Sequence, residues 1–116
     1  MSDAKQQFEA LSMEFTKAQS AMNELLEARS KLETQYQENK IVLEEFEAMD
    51  DGSKIYKLTG PVLMPQDYHE AKMNVSKRIE FIQGEISRVE EKVEKAQKDM
   101  EVSRTKLLQV RSQMAA

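Results

Sequence analysis

Two long stretches of an unbroken seven-residue repeat, separated by a short strand-like segment, limit what this chain can become. In the first stretch, a-type positions fall at Phe8, Phe15, Met22, Arg29, Tyr36 and Leu43, and d-type positions at Leu11, Ala18, Leu25, Leu32, Asn39 and Phe46. Arg29 and Asn39 are its polar exceptions. The second stretch places Ile79, Ile86, Val93, Met100, Leu107 and Met114 at a, and Val75, Ile82, Val89, Ala96, Ser103 and Val110 at d, with Ser103 its only polar member. Such a repeat gives each helix one narrow apolar face and winds two helices together along it. No Gly or Pro occurs from Met1 to Asp51, so the first helix should run about 40 residues, roughly 60 Å at 1.5 Å per residue. The expected fold class is mainly α: a long antiparallel helical hairpin, or coiled coil, with a short β-hairpin between its helices. All 116 residues are read as one domain, with helix 1 over about 4–49, the turn and β-hairpin over 50–65, and helix 2 over 66–114.

Composition supports two rods over a thick globule. Charged residues make up 33% of the 116, mean hydropathy is −0.68, and four Phe and three Tyr are too few to fill a deep core. Cysteine is absent, which excludes disulfides and thiolate metal sites and favours a reducing setting, cytoplasmic or also nuclear. Residues 1–20 lack the apolar run of a secretory leader, and no stretch reaches the roughly 20 apolar residues that cross a bilayer. The net charge of −4 comes from interleaved Glu and Lys rather than from a basic block. That pattern disfavours nucleic acid and anionic membranes as partners and favours proteins.

The connector carries its own pattern. Asp50-Asp51-Gly52 is expected to stop the first helix, since acids suit a last turn poorly and Gly suits a stop. Ile55-Tyr56-Lys57-Leu58 reads as a strand, Thr59-Gly60-Pro61 as a turn and Val62-Leu63-Met64 as the returning strand. Pro65 is expected to end the pairing, and Asp67 with Glu70 to cap the second helix. A lone two-stranded hairpin is marginal in water. This one carries Ile55, Tyr56, Leu58, Val62, Leu63 and Met64 with no domain of its own to cover them. Joining hairpins from several chains into a barrel would bury both faces and remove the open edges, so these six residues are the expected assembly surface of an obligate oligomer.

Antiparallel pairing sets a opposite d and leaves two registers one heptad apart. One sets Phe46 against Lys72 and Phe15 against Ser103; the other sets Phe46 against Ile79 and Phe15 against Val110. The second is the expectation, because burying Phe against Ile gains more than burying it against Lys. It also places Arg29 beside Ala96 and leaves Phe8 overhanging past Met114. β-Branched residues near the connector and Met, Leu and Ala farther away predict tight packing near the turn and looser packing toward the termini.

Glu38-Asn39-Lys40-Ile41-Val42-Leu43-Glu44-Glu45, Tyr56-Lys57-Leu58-Thr59-Gly60-Pro61-Val62-Leu63, Gln66-Asp67 to Glu70-Ala71, and Lys77-Arg78-Ile79-Glu80-Phe81-Ile82 together resemble the β-class subunits of prefoldin. Specificity resides in residues 36–83, since the outer helices are coiled coil of a kind many proteins share. Pro65 stands where members of the family often carry a basic residue, which bears only on the start of the second helix. An α-class subunit would need a longer connector with a second hairpin. The resemblance implies a heterohexamer of two α-class and four β-class subunits, so this chain's partners would be two α-class and three further β-class subunits. It further implies ATP-independent capture of unfolded actin and tubulin between coiled-coil tips, and transfer to the cytosolic group II chaperonin. It implies neither a cofactor nor catalysis.

Holding a non-native chain without ATP requires apolar groups that are exposed, adaptable and individually weak. The end of the hairpin that holds both termini offers Phe8, Leu11, Met13 and Phe15 with Leu107, Leu108, Val110 and Met114 as the candidate client-binding set. Met13 and Leu108 fall outside the seam, though any one of these residues could simply finish a coiled coil. Other features carry less. His69 has no companion His or Cys, and Glu44, Glu45, Glu90 and Glu91 sit at ordinary helical spacing on a solvated face, so neither a metal site nor acid/base chemistry is expected. Arg29 and Asn39 are read as register-fixing seam residues, and the Lys77-Arg78 pair as a possible contact to a neighbouring subunit or an acidic chaperonin surface. The main alternative is a structural coiled-coil adaptor that tethers folded partners; a basic-zipper DNA reader is disfavoured because the required Lys/Arg block is missing.

Overall fold

The computed structural model describes residues 2–50 and 52–115, with elements in the order α1 (Ser2–Ala48), β1 (Ile55–Thr59), β2 (Val62–Gln66) and α2 (Tyr68–Ala115). Two long helices separated by an antiparallel two-stranded hairpin make up the fold. The chain divides into two compact units, one of residues 1–30 and 88–116 and one of residues 31–87. The first unit pairs the outer parts of α1 and α2; the second pairs their inner parts and holds the β-hairpin.

Burial follows the heptads. Every a and d position from Phe8 to Phe46 and from Val75 to Val110 is half-buried or buried, and only Met114 is exposed. In the 31–87 unit, Phe46, Tyr68, Val75 and Ile79 form a buried cluster against which Tyr36, Leu43, Ile55 and Ala71 pack. Tyr68 continues the d series one heptad before Val75. Its ring meets that of Phe46 edge to face at a centroid distance of 5.9 Å, and its hydroxyl donates a hydrogen bond to the Phe46 carbonyl. The same carbonyl accepts from the Met49 amide at 3.2 Å. One tyrosine therefore packs the core and helps satisfy a carbonyl at the end of α1.

The helices pair in the register that the Phe-against-Ile argument rejects. Arg78 Nη1 donates to Asn39 Oδ1 at 3.4 Å, and Gln83 Nε2 to the Tyr36 hydroxyl at 3.4 Å, which sets Leu43 level with Val75 and Phe46 level with Lys72. In the other unit Phe15 and Met22 share a groove with Met100 and Arg104, and Phe8 lines one with Leu107 and Arg111, which is the same offset. Phe8 consequently faces Val110 and does not overhang, and Arg29 lies opposite Val89 rather than Ala96. The rejected pairing assumed that Phe46 would be buried against a lysine. Instead Phe46 shares a buried cluster with Tyr68, Val75 and Ile79, against which Ala71 packs, while the Lys72 ammonium lies 6.0 Å from the centre of the Tyr68 ring in a cation–π contact.

The hairpin pairs Ile55 with Gln66, Tyr56 with Pro65, Lys57 with Met64, Leu58 with Leu63, and Thr59 with Val62. The second strand thus runs through Pro65 and does not end before it. Counting from the two-residue turn, Thr59 and Val62 form a hydrogen-bonded pair, so Tyr56 and Pro65 form a non-hydrogen-bonded one. The missing N–H of Pro65 costs the ladder nothing there. Gly60 has φ +60°, as the first central residue of a II′ turn requires. α1 stops at Ala48, four residues before Gly52; Asp51 lies outside the described residues. At the start of α2 the Glu70 amide donates to Asp67 Oδ2 at 3.0 Å, the expected N-cap.

Candidate functional site

Two surfaces are built from sequence-predicted residues. The first is the β-hairpin. Paired residues of an antiparallel ladder share a face and alternate along it, so Tyr56, Leu58, Leu63 and Pro65 make one face and Ile55, Lys57, Thr59, Val62, Met64 and Gln66 the other. The six predicted assembly residues are therefore split. Ile55 is half-buried because it packs back on the Phe46 cluster, and Gln66 beside it is half-buried too. The remaining predicted residues, Tyr56, Leu58, Val62, Leu63 and Met64, are all exposed, with Leu58 at 68% and Leu63 at 61%. The Tyr56 face is wholly apolar apart from the tyrosine hydroxyl, whereas the outer part of the opposite face mixes Lys57 and Thr59 with Val62 and Met64. Burying a leucine-sized side chain is worth about 1.5–3 kcal/mol, so the Tyr56 face carries the larger drive toward a partner.

The second surface belongs to the unit that holds residues 2–30 and 88–115. Met13 is 63% exposed, Leu108 is 57% exposed, and Met114 is exposed as well. Phe8, Leu11, Phe15 and Leu107 are half-buried in the seam, and Val110 is buried. The eight candidates are thus brought to one unit but not to one surface: three are presented outward, four are partly covered and one is enclosed. Two adjoining grooves open between the helices here. A groove of about 530 Å³ is lined by Phe15, Met22, Gln97, Met100, Glu101 and Arg104. Another of about 280 Å³ is lined by residues including Phe8, Ser12, Leu107, Leu108 and Arg111, and it shares Phe15 and Arg104 with the first.

Asn39, read from the sequence as a register-fixing seam residue, bonds to both helices. Its Nδ2 donates to the Gln35 carbonyl at 2.7 Å while its Oδ1 accepts from Arg78, so a polar seam residue is satisfied from both helices. His69 is exposed, with its ring edge-on to Tyr68 at 5.3 Å. Among the described residues no group of His, Asp and Glu is arranged to hold a metal ion, and no helix is long and apolar enough to cross a membrane. Ile41, Met73 and Phe81, which the sequence pattern assigns to neither candidate surface, are exposed in the 31–87 unit, Phe81 at 66%. Their signal was available, since each is a large apolar residue off the a and d positions.

A family model described as Prefoldin subunit matches residues 9–113. The chain belongs to the prefoldin subunit family. Among similar proteins, prefoldin subunit 6 of Saccharomyces cerevisiae is 42% identical over 106 residues, covering 91% of this chain and 93% of the yeast one. Human prefoldin subunit 6 is 34% identical over 99 residues, covering 85% and 77%, and the Arabidopsis thaliana subunit 6 is 36% identical over 88 residues, covering 76% and 68%. The strings around the hairpin resemble this same subunit 6 type. The crystal structure of the prefoldin beta subunit from Thermococcus strain KS-1 superposes with a TM-score of 0.81 at 18% identity, covering 87% of this chain and 89% of the archaeal one. Its likeness confirms the prefoldin β-type fold. Membership of the prefoldin co-chaperone complex, and assembly with other prefoldin subunits, follow from the family. Prefoldin subunits are chaperones and not enzymes.

Proposed function

We propose that this chain is a β-class subunit of a heterohexameric prefoldin that captures unfolded proteins without ATP, actin and tubulin among them, and passes them to the group II chaperonin of the cytosol. The observation that carries the assembly half of this reading is the apolar hairpin face of Tyr56, Leu58, Leu63 and Pro65, which the chain itself leaves uncovered. Edge-to-edge joining with hairpins of two α-class and three further β-class subunits would bury that face and close the strand edges. Capture is supported by Met13, Leu108 and Met114, exposed on the unit farthest in sequence from the hairpin. Methionine adapts to irregular partners, and several weak contacts spread over six subunits give reversible avidity. The reading places the protein in the cytoplasm, with a nuclear pool compatible with it.

Native mass spectrometry of the complex that co-purifies with the tagged chain tests this directly. Six different chains, each present once and accompanied by chaperonin, are expected. A homodimer with folded partners would instead identify a tethering adaptor. Removing residues 1–15 together with 105–116 should preserve the hexamer and weaken capture of denatured actin; undiminished capture would move the client site away from Met13, Leu108 and Met114.

A further inference from the structure

The two adjoining grooves have a cause in the seam. In the observed register Met22 lies opposite Ala96, Ala18 opposite Met100, and Phe15 opposite Ser103. Three successive layers therefore combine one large and one small residue, and their volume falls short of what two helices at ordinary spacing enclose. Both grooves open on the same flank. Phe8, Phe15, Met22, Met100 and Leu107 are a-type positions, which lie toward the e-type flank that carries Ser12, Gln97, Arg104 and Arg111. The walls are aromatic, thioether and aliphatic. Arg104 stands where the grooves meet, Arg111 stands farther along, and Glu101 is the sole acid among the lining residues. A chain of net charge −4 thus presents a locally basic rim over an apolar trough.

We infer that this trough is a binding site for extended segments of non-native polypeptide in which a large apolar side chain is flanked by Asp or Glu. The apolar side chain enters beside Phe15, Met22 and Met100, where about 530 Å³ of space suits a side chain as large as Phe or Trp. The flanking carboxylate meets the Arg104 guanidinium, which can take it in a two-pronged hydrogen bond. Met22 and Met100 let the walls adjust to unlike side chains. This inference rests on the reading of the chain as a client-capturing subunit and adds the place within the seam and the kind of segment preferred.

The test uses the assembled prefoldin complex and two fluorescein-labelled peptides that share a central Phe-Leu pair, one flanked by Asp and one by Lys. The wild-type complex should bind the Asp-flanked peptide at least about threefold more tightly, as one partly exposed charge pair provides. Arg104→Glu should reverse that order. Ser103→Leu, which fills the underpacked layer opposite Phe15, should raise the melting temperature of the complex while weakening both peptides by roughly tenfold, the equivalent of one lost leucine-sized contact. Equal affinities before and after both substitutions overturn the inference, as does a change in the mass of the assembled complex in place of peptide affinity, which would make the trough a contact between subunits. Suppression of denatured-actin aggregation is measured on the same samples. Loss of suppression in the wild type defeats the chaperone reading and this inference together, whereas full suppression by both the wild type and Ser103→Leu defeats the trough alone.

Discussion

The unit of residues 31–87 and the unit of residues 1–30 with 88–116 are built on one heptad pattern and end up packed differently. In the first, Phe46, Tyr68, Val75 and Ile79 bury one another and draw in Tyr36, Leu43, Ile55 and Ala71. In the second, Met22, Val93 and Val110 are buried at separate levels and grooves open between them. The same periodicity thus yields a well-filled core where large and β-branched residues meet, and a compliant seam where Ala18, Ala96 and Ser103 face large partners. Filling sets rigidity and periodicity sets only direction. One region of each kind suits the proposed function, in which the subunit holds its place in an assembly and also captures unlike chains.

The comparison breaks most severely if the hairpin face is not an assembly surface. Leu58→Asp places a carboxylate on the apolar Tyr56 face, where desolvation costs several kcal/mol, and should abolish incorporation into the complex while far-ultraviolet circular dichroism of the isolated chain still shows helix. Intact hexamer by native mass spectrometry would show that the face is not buried on assembly. Next come paired truncations of the two seams. Phe46→Ala should cost about 3–5 kcal/mol, the range for a buried aromatic, and Met22→Ala about 2 kcal/mol, the low end for a buried methionine. Equal losses in thermal unfolding of the complex would erase the distinction between a filled and a compliant seam.

Smaller effects sharpen the picture inside the 31–87 unit. Gly60→Val forces a β-branched residue into the left-handed region at φ +60° and should cost about 1–2 kcal/mol, read as a lower urea midpoint for assembly. Tyr68→Phe keeps the ring against Phe46 and removes only its hydrogen bond to the Phe46 carbonyl, which the Met49 amide still partly satisfies; about 1 kcal/mol in urea unfolding is the expected loss. A loss as large as that of Phe46→Ala would mean that the hydroxyl, more than ring packing, joins the end of α1 to the start of α2.

Much of the fold was legible because its signals are local. Every a and d position except Met114 is covered, the Thr59-Gly60-Pro61 turn forms as its residues require, and the Asp67 cap sits where the spacing puts it. Errors arose where two signals competed. The missing N–H of Pro65 predicts a strand stop, yet its place in the ladder needs no donor. The six hairpin residues form one apolar set in the sequence, and only the pairing of Tyr56 with Pro65 and Leu58 with Leu63 separates a uniformly apolar face from a mixed one on which Ile55 turns inward. Phe8, expected to overhang, faces Val110 for the same reason that the trough beside Phe15 was invisible: both depend on which heptad meets which.

By itself the sequence determined two helices, their buried stripes and the hairpin between them, because each follows from spacing within one segment. Register belonged to the tertiary structure. A slip of seven residues returns every a and d residue to the seam, so the pattern is blind to it and the two alignments differ only in which side chains share a layer. That degeneracy is lifted where α1 ends and α2 begins: Tyr68 fills the space beside Phe46 and hydrogen-bonds its carbonyl, Ala71 and Val75 complete the layer, and Lys72 carries its charge outside. The outer seam inherits the same offset, and with it the mismatched layers that leave the trough open.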